Sequence, residues 1–179
     1  MQYFIGIVPT QEYKGKVTEF RNSWKNNSIS DVVEPHITLK AQGGLTADKK
    51  WLGKVKEVCL NTKPFDIKID KTRFFGEDIL YLSLSSKQLS ILHYNIVSAV
   101  APPKELIEKY FELDNFIPHM TLGKTTYGLS KQELRDMARL AEKEISPYPT
   151  INVDFVRIYQ EIEPNKYVKF EDVPLGWNC

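Results

Sequence analysis

Cysteine occurs twice in these 179 residues, histidine three times, and no apolar run is long. Cys59 sits inside a helical pattern and Cys179 is the last residue, so the chain offers neither a disulfide framework nor the paired spacing of a zinc site. Thiols used this way fit a reducing compartment. No stretch approaches the roughly 18 apolar residues of a membrane span. The opening "MQYFIGIVPTQEYK" has a short apolar run with no basic region before it, so it reads as a strand rather than a signal peptide. A cytoplasmic protein with no membrane partner is the expectation. An excess of one charge is missing too, because 24 basic residues face 23 acidic ones, mixed along the chain. That argues against a long duplex nucleic acid as partner and leaves a small nucleotide or an RNA terminus.

What remains is an ordinary globular composition, 42% hydrophobic and 26% charged, suited to one domain over residues 1–179 and expected to be a monomer. "YFIGIV", ended by Pro9, reads as a strand buried on both faces. Tyr13, Val17, Phe20 and Trp24 follow at helical spacing. After "PHITLK" at 35–40 comes a glycine loop, then Thr46 as candidate N-cap of a helix carrying Trp51, Leu52, Val55, Val58 and Cys59. "FDIKID" and "ILYLSLS" alternate as half-buried strands do. Ser85 and Gln88 offer a capping box for a helix bearing Leu89, Leu92, Ile96 and Val100, ended by "APP". A short helix and an approach to the next strand fill 104–117.

"PHMTLG" at 118–123 then brings the same order back. Ser130 and Glu133 spell a capping box for a helix with Leu134, Met137, Ala138 and Ala141 inward, and "INVDFVRIY" and "KYVKF" supply strands. A strand with histidine, a glycine loop, a capped helix and two strands thus occur twice. Two such half-units about a pseudo-twofold axis would bring both histidine strands to one cleft.

Alternation along a strand puts His36, Thr38 and Lys40 on one face and Ile37 and Leu39 on the other. In the second copy His119, Thr121 and Gly123 share the cleft face while Met120 and Leu122 are buried. Core packing explains the aliphatic residues but not the paired histidines and threonines. Two imidazoles at one cavity suit a reaction that takes up one proton and supplies another near neutral pH. Phosphodiester cleavage is such a reaction, with the threonine hydroxyls placed to donate to the non-bridging oxygens. No metal and no cofactor are needed. Asp31 and Glu34 could join the histidines around a metal, but the ligand spacing is poor and none is expected. His93, on a helix beside Leu89 and Leu92, reads as a satisfied histidine at the core edge.

The two motifs "HITL" at 36–39 and "HMTL" at 119–122 resemble the His-x-Thr/Ser-x signature of the two-histidine phosphoesterases, which include the enzymes called 2′-5′ RNA ligases and cyclic nucleotide phosphodiesterases. The resemblance runs from "YFIGIVP" to "VPLG" and looks closest to small bacterial members of the YjcG type. It implies an α+β, bilobed fold, with two pseudo-symmetric lobes, each an antiparallel sheet flanked by helices, and a central cleft. It also implies a metal-independent phosphodiesterase acting on a 2′,3′-cyclic phosphate or a related nucleotide or RNA-end diester. His36 and His119 become acid and base, here with His119 as base and His36 as acid, and Thr38 and Thr121 become phosphate ligands. The alternatives are 2′-5′ ligation by the same groups, or a module that binds a nucleotide or RNA end without turnover. Lys40 and Lys124 follow the motifs and could attract a phosphate, each otherwise being a solvated strand-end lysine. Tyr3, Phe74 and Phe75 could stack on a base, each otherwise being core. The family's arginine-rich segment is reduced to Arg73 before "FFGED", which favours a small nucleotide or an RNA end.

Overall fold

The computed structural model describes residues 1–176, so Cys179 lies outside the described residues. Eight strands form two four-stranded antiparallel sheets. The first contains β1 (Tyr3–Ile7), β2 (Ile37–Lys40), β7 (Phe155–Glu163) and β8 (Lys166–Pro174), in the order β2-β1-β7-β8. The second contains β3 (Phe65–Phe75), β4 (Ile79–Ser85), β5 (His119–Lys124) and β6 (Thr150–Val153), in the order β5-β4-β3-β6. The helices are α1 (Gln11–Asn22), α2 (Ile29–Val32), α3 (Leu52–Leu60), α4 (Lys87–Val100), α5 (Lys104–Lys109) and α6 (Lys131–Glu144), with short 3-10 turns at Leu113–Asn115 and Thr125–Tyr127. No described helix is long and apolar enough to cross a membrane.

Local chemistry explains most boundaries. Ser130 Oγ accepts from the Glu133 amide while the Glu133 carboxylate accepts from the Ser130 amide, closing a capping box on α6. On α4 the cap is Ser86, one residue later than the sequence suggests, accepting from the Leu89 amide. Thr46 does not cap α3. Its hydroxyl donates to Asp48, its carbonyl accepts from the Trp51 indole, and the helix starts only at Leu52. A side chain that finds a partner two residues on is lost to the helix terminus. Cys59 is buried in α3, where burial pushes its thiol up to about 12 and leaves it inert.

The repeat has a different frame from the one read along the chain. It runs β1-α1-β2-α3-β3 and then β4-α4-β5-α6-β7, beginning a strand and a helix before each histidine. In both copies the last strand crosses over: β3 pairs with β4 in the second sheet, and β7 pairs with β1 in the first. The first helices cross as well, since Tyr13 of α1 donates to the Ile145 carbonyl and His93 of α4 bonds the Leu39 carbonyl. Each lobe is therefore assembled from both halves, and one core runs through both sheets.

The two histidine strands are the facing edges, β2 and β5, and they lie against each other. Both carry an extra residue at the same place. Gly6 pairs with Thr38 but Ile5 with Lys40, so Leu39 bulges; Tyr81 pairs with Thr121 but Leu80 with Gly123, so Leu122 bulges. A bulge reverses the facing of the residues beyond it. Position 40 and position 123 turn into the interior, while Ala41 and Lys124 return to the cleft. Gly123 lets the strand approach α6 and the loop before it closely, since a Cβ there would lie 2.5 Å from Leu129 Cδ1 and the buried side chains around it would have to shift.

Candidate active site

His36 leads into β2 and His119 opens β5, each directly after a proline. Both rings are fastened in the same way. Nδ1 of His36 lies 2.8 Å from the Glu34 carbonyl oxygen, and Nδ1 of His119 lies 2.7 Å from that of Ile117. A carbonyl only accepts, so each Nδ1 carries the proton and the Nε2 lone pair is left free. Each ring also has an aromatic pair beside it. Phe4 and Tyr159 lie 4.9 and 5.5 Å from His36, and Phe75 and Tyr81 lie 5.0 and 5.3 Å from His119, between ring centroids. The members of each pair stack on one another.

His36, His119, Thr38, Thr121 and Lys124 line one polar cavity of about 300 Å³. Beside it, sharing Thr38, Ala41 and His119, opens a larger and mainly apolar chamber of about 490 Å³ with Phe75 on its wall. Three of the residues named from the sequence, Lys40, Tyr3 and Phe74, are placed elsewhere. Lys40 is buried by the bulge at Leu39, and its ammonium is consumed by Ala41 O at 2.9 Å, Gly43 O at 2.6 Å and Glu112 Oε1 at 2.8 Å. It has no proton left for a substrate phosphate. Tyr3 points to the core face of β1, against Trp51 and Phe170, and the next residue, Phe4, is the one that faces the cleft. Phe74 lies partly exposed one position before Phe75 on β3 and belongs to neither cavity. His93 is buried with both nitrogens engaged, Nδ1 at Leu39 O and Nε2 accepting from the Leu113 amide.

Sequence reasoning misses Arg21. It is the charged member of the buried stripe of α1, beside Tyr13, Val17 and Phe20, and its guanidinium reaches the polar cavity. A cation on the core stripe of an amphipathic helix is the signal that could have found it. Arg21 donates to the carbonyls of Thr121 and Val33, its Nε has no partner, and no described carboxylate pairs with it. Burial pushes it down to about 9. Glu34, from the sequence only a metal candidate, has a structural task instead. Its carboxylate collects Lys14, Arg157 and Tyr159 at 2.7, 2.7 and 2.9 Å, and these bonds hold it below the usual range although burial alone would raise it. The clamp fixes the backbone carbonyl that orients His36. Among the described residues, no three His, Cys, Asp or Glu side chains gather as a metal would require.

The electrostatics favour a guest that brings negative charge. Burial pushes His36 down to about 4, with repulsion from Arg21 and His119 adding to it. His119 is also lowered, by burial and then by Lys124, and burial lowers Lys124 itself. Buried cations without anions are costly, and a phosphate would relieve all of these groups together.

The sequence model of the 2′-5′ RNA ligase superfamily matches residues 9–160. The chain belongs to that superfamily. Among solved structures, this superfamily member resembles E. coli LigT complexed with NADP+ (14% identity, 98% of each chain, TM-score 0.63). It resembles TT0787 of Thermus thermophilus to the same degree (16% identity, 100% of each chain, TM-score 0.63). A third similar structure is E. coli LigT complexed with 3′-AMP (15% identity, 98% of each chain, TM-score 0.63). At such identities the likeness is one of fold. No curated protein matches.

Proposed function

We propose that this superfamily member is a metal-independent phosphodiesterase that opens a 2′,3′-cyclic phosphate on a nucleotide or RNA terminus. One observation carries the reading: two histidines with free Nε2 atoms, two threonine hydroxyls and two cations without a carboxylate partner among the described residues line a single small cavity. Phosphate binding alone needs the cations and hydroxyls but not a matched pair of oriented imidazoles. The LigT structures with NADP+ and 3′-AMP, ligands that carry phosphate on a nucleoside, favour a guest of the same class here.

In this mechanism the phosphoryl group sits between Thr38 and Thr121, with Arg21 and Lys124 bearing the charge that builds on its non-bridging oxygens. Neutral His119 takes a proton from the attacking water. His36 gives a proton to the ribose oxygen as the P–O bond breaks. Burial is the main reason His36 is low in the free protein, with the repulsion of Arg21 and His119 behind it; a bound phosphate adds an attraction that opposes both and raises His36 towards its acid form. General acid and general base each contribute typically about 10² to 10⁴ in rate.

Incubation with a panel of 2′,3′-cyclic nucleotides, cyclic-phosphate-ended RNA and ADP-ribose cyclic phosphate tests the reading. Turnover that persists in EDTA and collapses in both His36→Ala and His119→Ala is the expected result. Tight binding without product would replace the enzyme with a binding module.

A further inference from the structure

His93 has no place in the proton transfers, yet it is tied to both histidine strands. It lies on the buried stripe of α4 with Leu89, Leu92, Ile96 and Val97. Nδ1 donates to the carbonyl of Leu39, the bulged residue beside Thr38, at 2.7 Å, and Nε2 accepts from the Leu113 amide at 2.8 Å. A carbonyl only accepts and an amide N–H only donates, so the two partners fix a neutral ring in one tautomer.

The Leu113 bond is one end of a grip on the turn that leads into β5. The Leu113 carbonyl accepts from the Phe116 amide at 3.0 Å, and the Phe116 ring lies flat on His93, centroids 3.8 Å apart and 6° from parallel. Leu113 has φ at 57°, a backbone state that a non-glycine residue keeps only where its surroundings dictate it. The carbonyl that follows Phe116 is that of Ile117, which accepts from Nδ1 of His119, and the exposed Ile117 side chain anchors nothing. The stack on His93 is therefore a buried support one residue away from the carbonyl that orients His119.

The other half has a counterpart. Arg21 of α1 donates to the carbonyl of Thr121, in the opposite histidine strand, and to that of Val33, in the segment that leads to His36. His93 of α4 likewise reaches the opposite histidine strand at Leu39 and the segment that leads to His119 at Leu113. The same pair of reaches from the first helix of each half points to a shared task rather than to core filling.

We propose that His93 is a positioning residue for His119: by gripping the turn from Leu113 to Phe116 it holds the Ile117 carbonyl where it keeps the His119 proton on Nδ1 and leaves Nε2 free. The inference rests on the phosphodiesterase reading for the role of His119 as base, whereas the orientation of the ring does not depend on that reading. A general base displaced by about 1 Å loses on the order of 10² in rate.

Nitrogen NMR of the histidine rings, read together with kcat, tests this. His93→Phe keeps a flat ring against Phe116 and removes both hydrogen bonds. In the folded variant the His119 proton should be divided between the two ring nitrogens. Its titration should move to lower pH than in the wild type, because the bond to the Ile117 carbonyl opposes the lowering by burial and by Lys124. On a 2′,3′-cyclic nucleotide kcat per folded molecule should fall about tenfold to a hundredfold. His93→Gln places an amide oxygen near the position of Nε2 and keeps the Leu113 bond, while His93→Asn places an amide nitrogen near that of Nδ1 and keeps only the Leu39 bond. Glutamine should therefore restore more of kcat and of the His119 tautomer than asparagine. The reverse order would route the effect through Leu39 and overturn the assignment. A His119 tautomer and titration unchanged in folded His93→Phe protein would overturn it too, since destabilisation alone lowers the melting temperature and moves neither. If no cyclic nucleotide is turned over, the phosphodiesterase reading fails and the His119 spectra alone decide the positioning. Should His93→Phe not fold, Phe116→Leu decides in its place: it removes the stack at a half-buried site, leaves both His93 bonds and should shift His119 in the same direction, no shift overturning the proposal.

Discussion

His36 and His119 occupy equivalent places in the pseudo-twofold frame, each after a proline, each with Nδ1 on the carbonyl two residues upstream, each beside an aromatic pair. Their surroundings differ in what holds that carbonyl. On the His36 side, Glu34 is pinned by Lys14, Arg157 and Tyr159, and Arg157 is tied in turn to Asp172. On the His119 side the residue is Ile117, 53% exposed at the edge of the apolar chamber, with no side-chain bond to make. One imidazole has its anchoring residue clamped by an ion-pair cluster, and the other borders the apolar chamber, while a cation acts on each. The motif is symmetric and its setting is not: burial lowers both imidazoles, joined at His36 by the repulsion of Arg21 and His119 and at His119 by that of Lys124.

The sharpest way to break that comparison is to remove each histidine in turn. Either alanine variant should lose about 10² to 10⁴ in kcat on a cyclic nucleotide. On a diester with a nitrophenolate leaving group, which departs without a proton, His36→Ala should recover most of its activity and His119→Ala should not. Equal recovery, or none in both, would end the division of labour.

Arg21 comes next. Arg21→Met removes a buried cation that has only carbonyl partners, so kcat/KM for cyclic phosphates should fall by about tenfold to a hundredfold, from the loss of a charge-assisted contact. The ligand-free variant should nevertheless melt no lower than the wild type, since replacing a buried charge by an apolar side chain is often neutral or stabilising. Added phosphate should raise the melting temperature of the wild type more than that of the variant. A large drop in the melting temperature of the ligand-free variant would mean that Arg21 is structural.

The smallest expected effect is in pH. An imidazole held at about 4 in the folded chain and near ~6.5 unfolded means that the unfolded state binds more protons between those values, so stability falls as pH drops through that window. His36→Gln should flatten the fall, measured as melting temperature between pH 7 and pH 4. In the active protein, phosphate binding raises His36, so the alkaline limb of kcat should lie at higher pH than that of kcat/KM. Coincident limbs would show that the two histidine settings do not differ as the ligand-free field implies.

Much of this was legible along the chain. The paired "PHITLK" and "PHMTLG" stretches, the capping box of Ser130 and Glu133 and the alternating strands around "FDIKID" need only nearest-neighbour chemistry and a period of two. The membership of the superfamily agrees with the resemblance those stretches suggested. Three features were not legible. The bulges at Leu39 and Leu122 arise from pairing with β1 and β4, and they are why alternation placed Lys40 in the cleft when it lies in the core with Glu112, 72 residues away. The exchange of β3 and β7 between sheets depends on contacts with no local signature. Tyr3 and Phe4 look alike in a fully apolar strand, and only the position of the helices decides which of them meets His36.

By itself the sequence determined the chemical inventory of the cleft, because two histidines and two threonines in matching frames survive any detail of packing. Only the tertiary structure decided how that inventory is deployed. Burial and field are properties of the assembled interior: among the described residues they leave Arg21 without a carboxylate partner, consume Lys40 in an ion pair, clamp Glu34 behind one histidine and open a chamber beside the other.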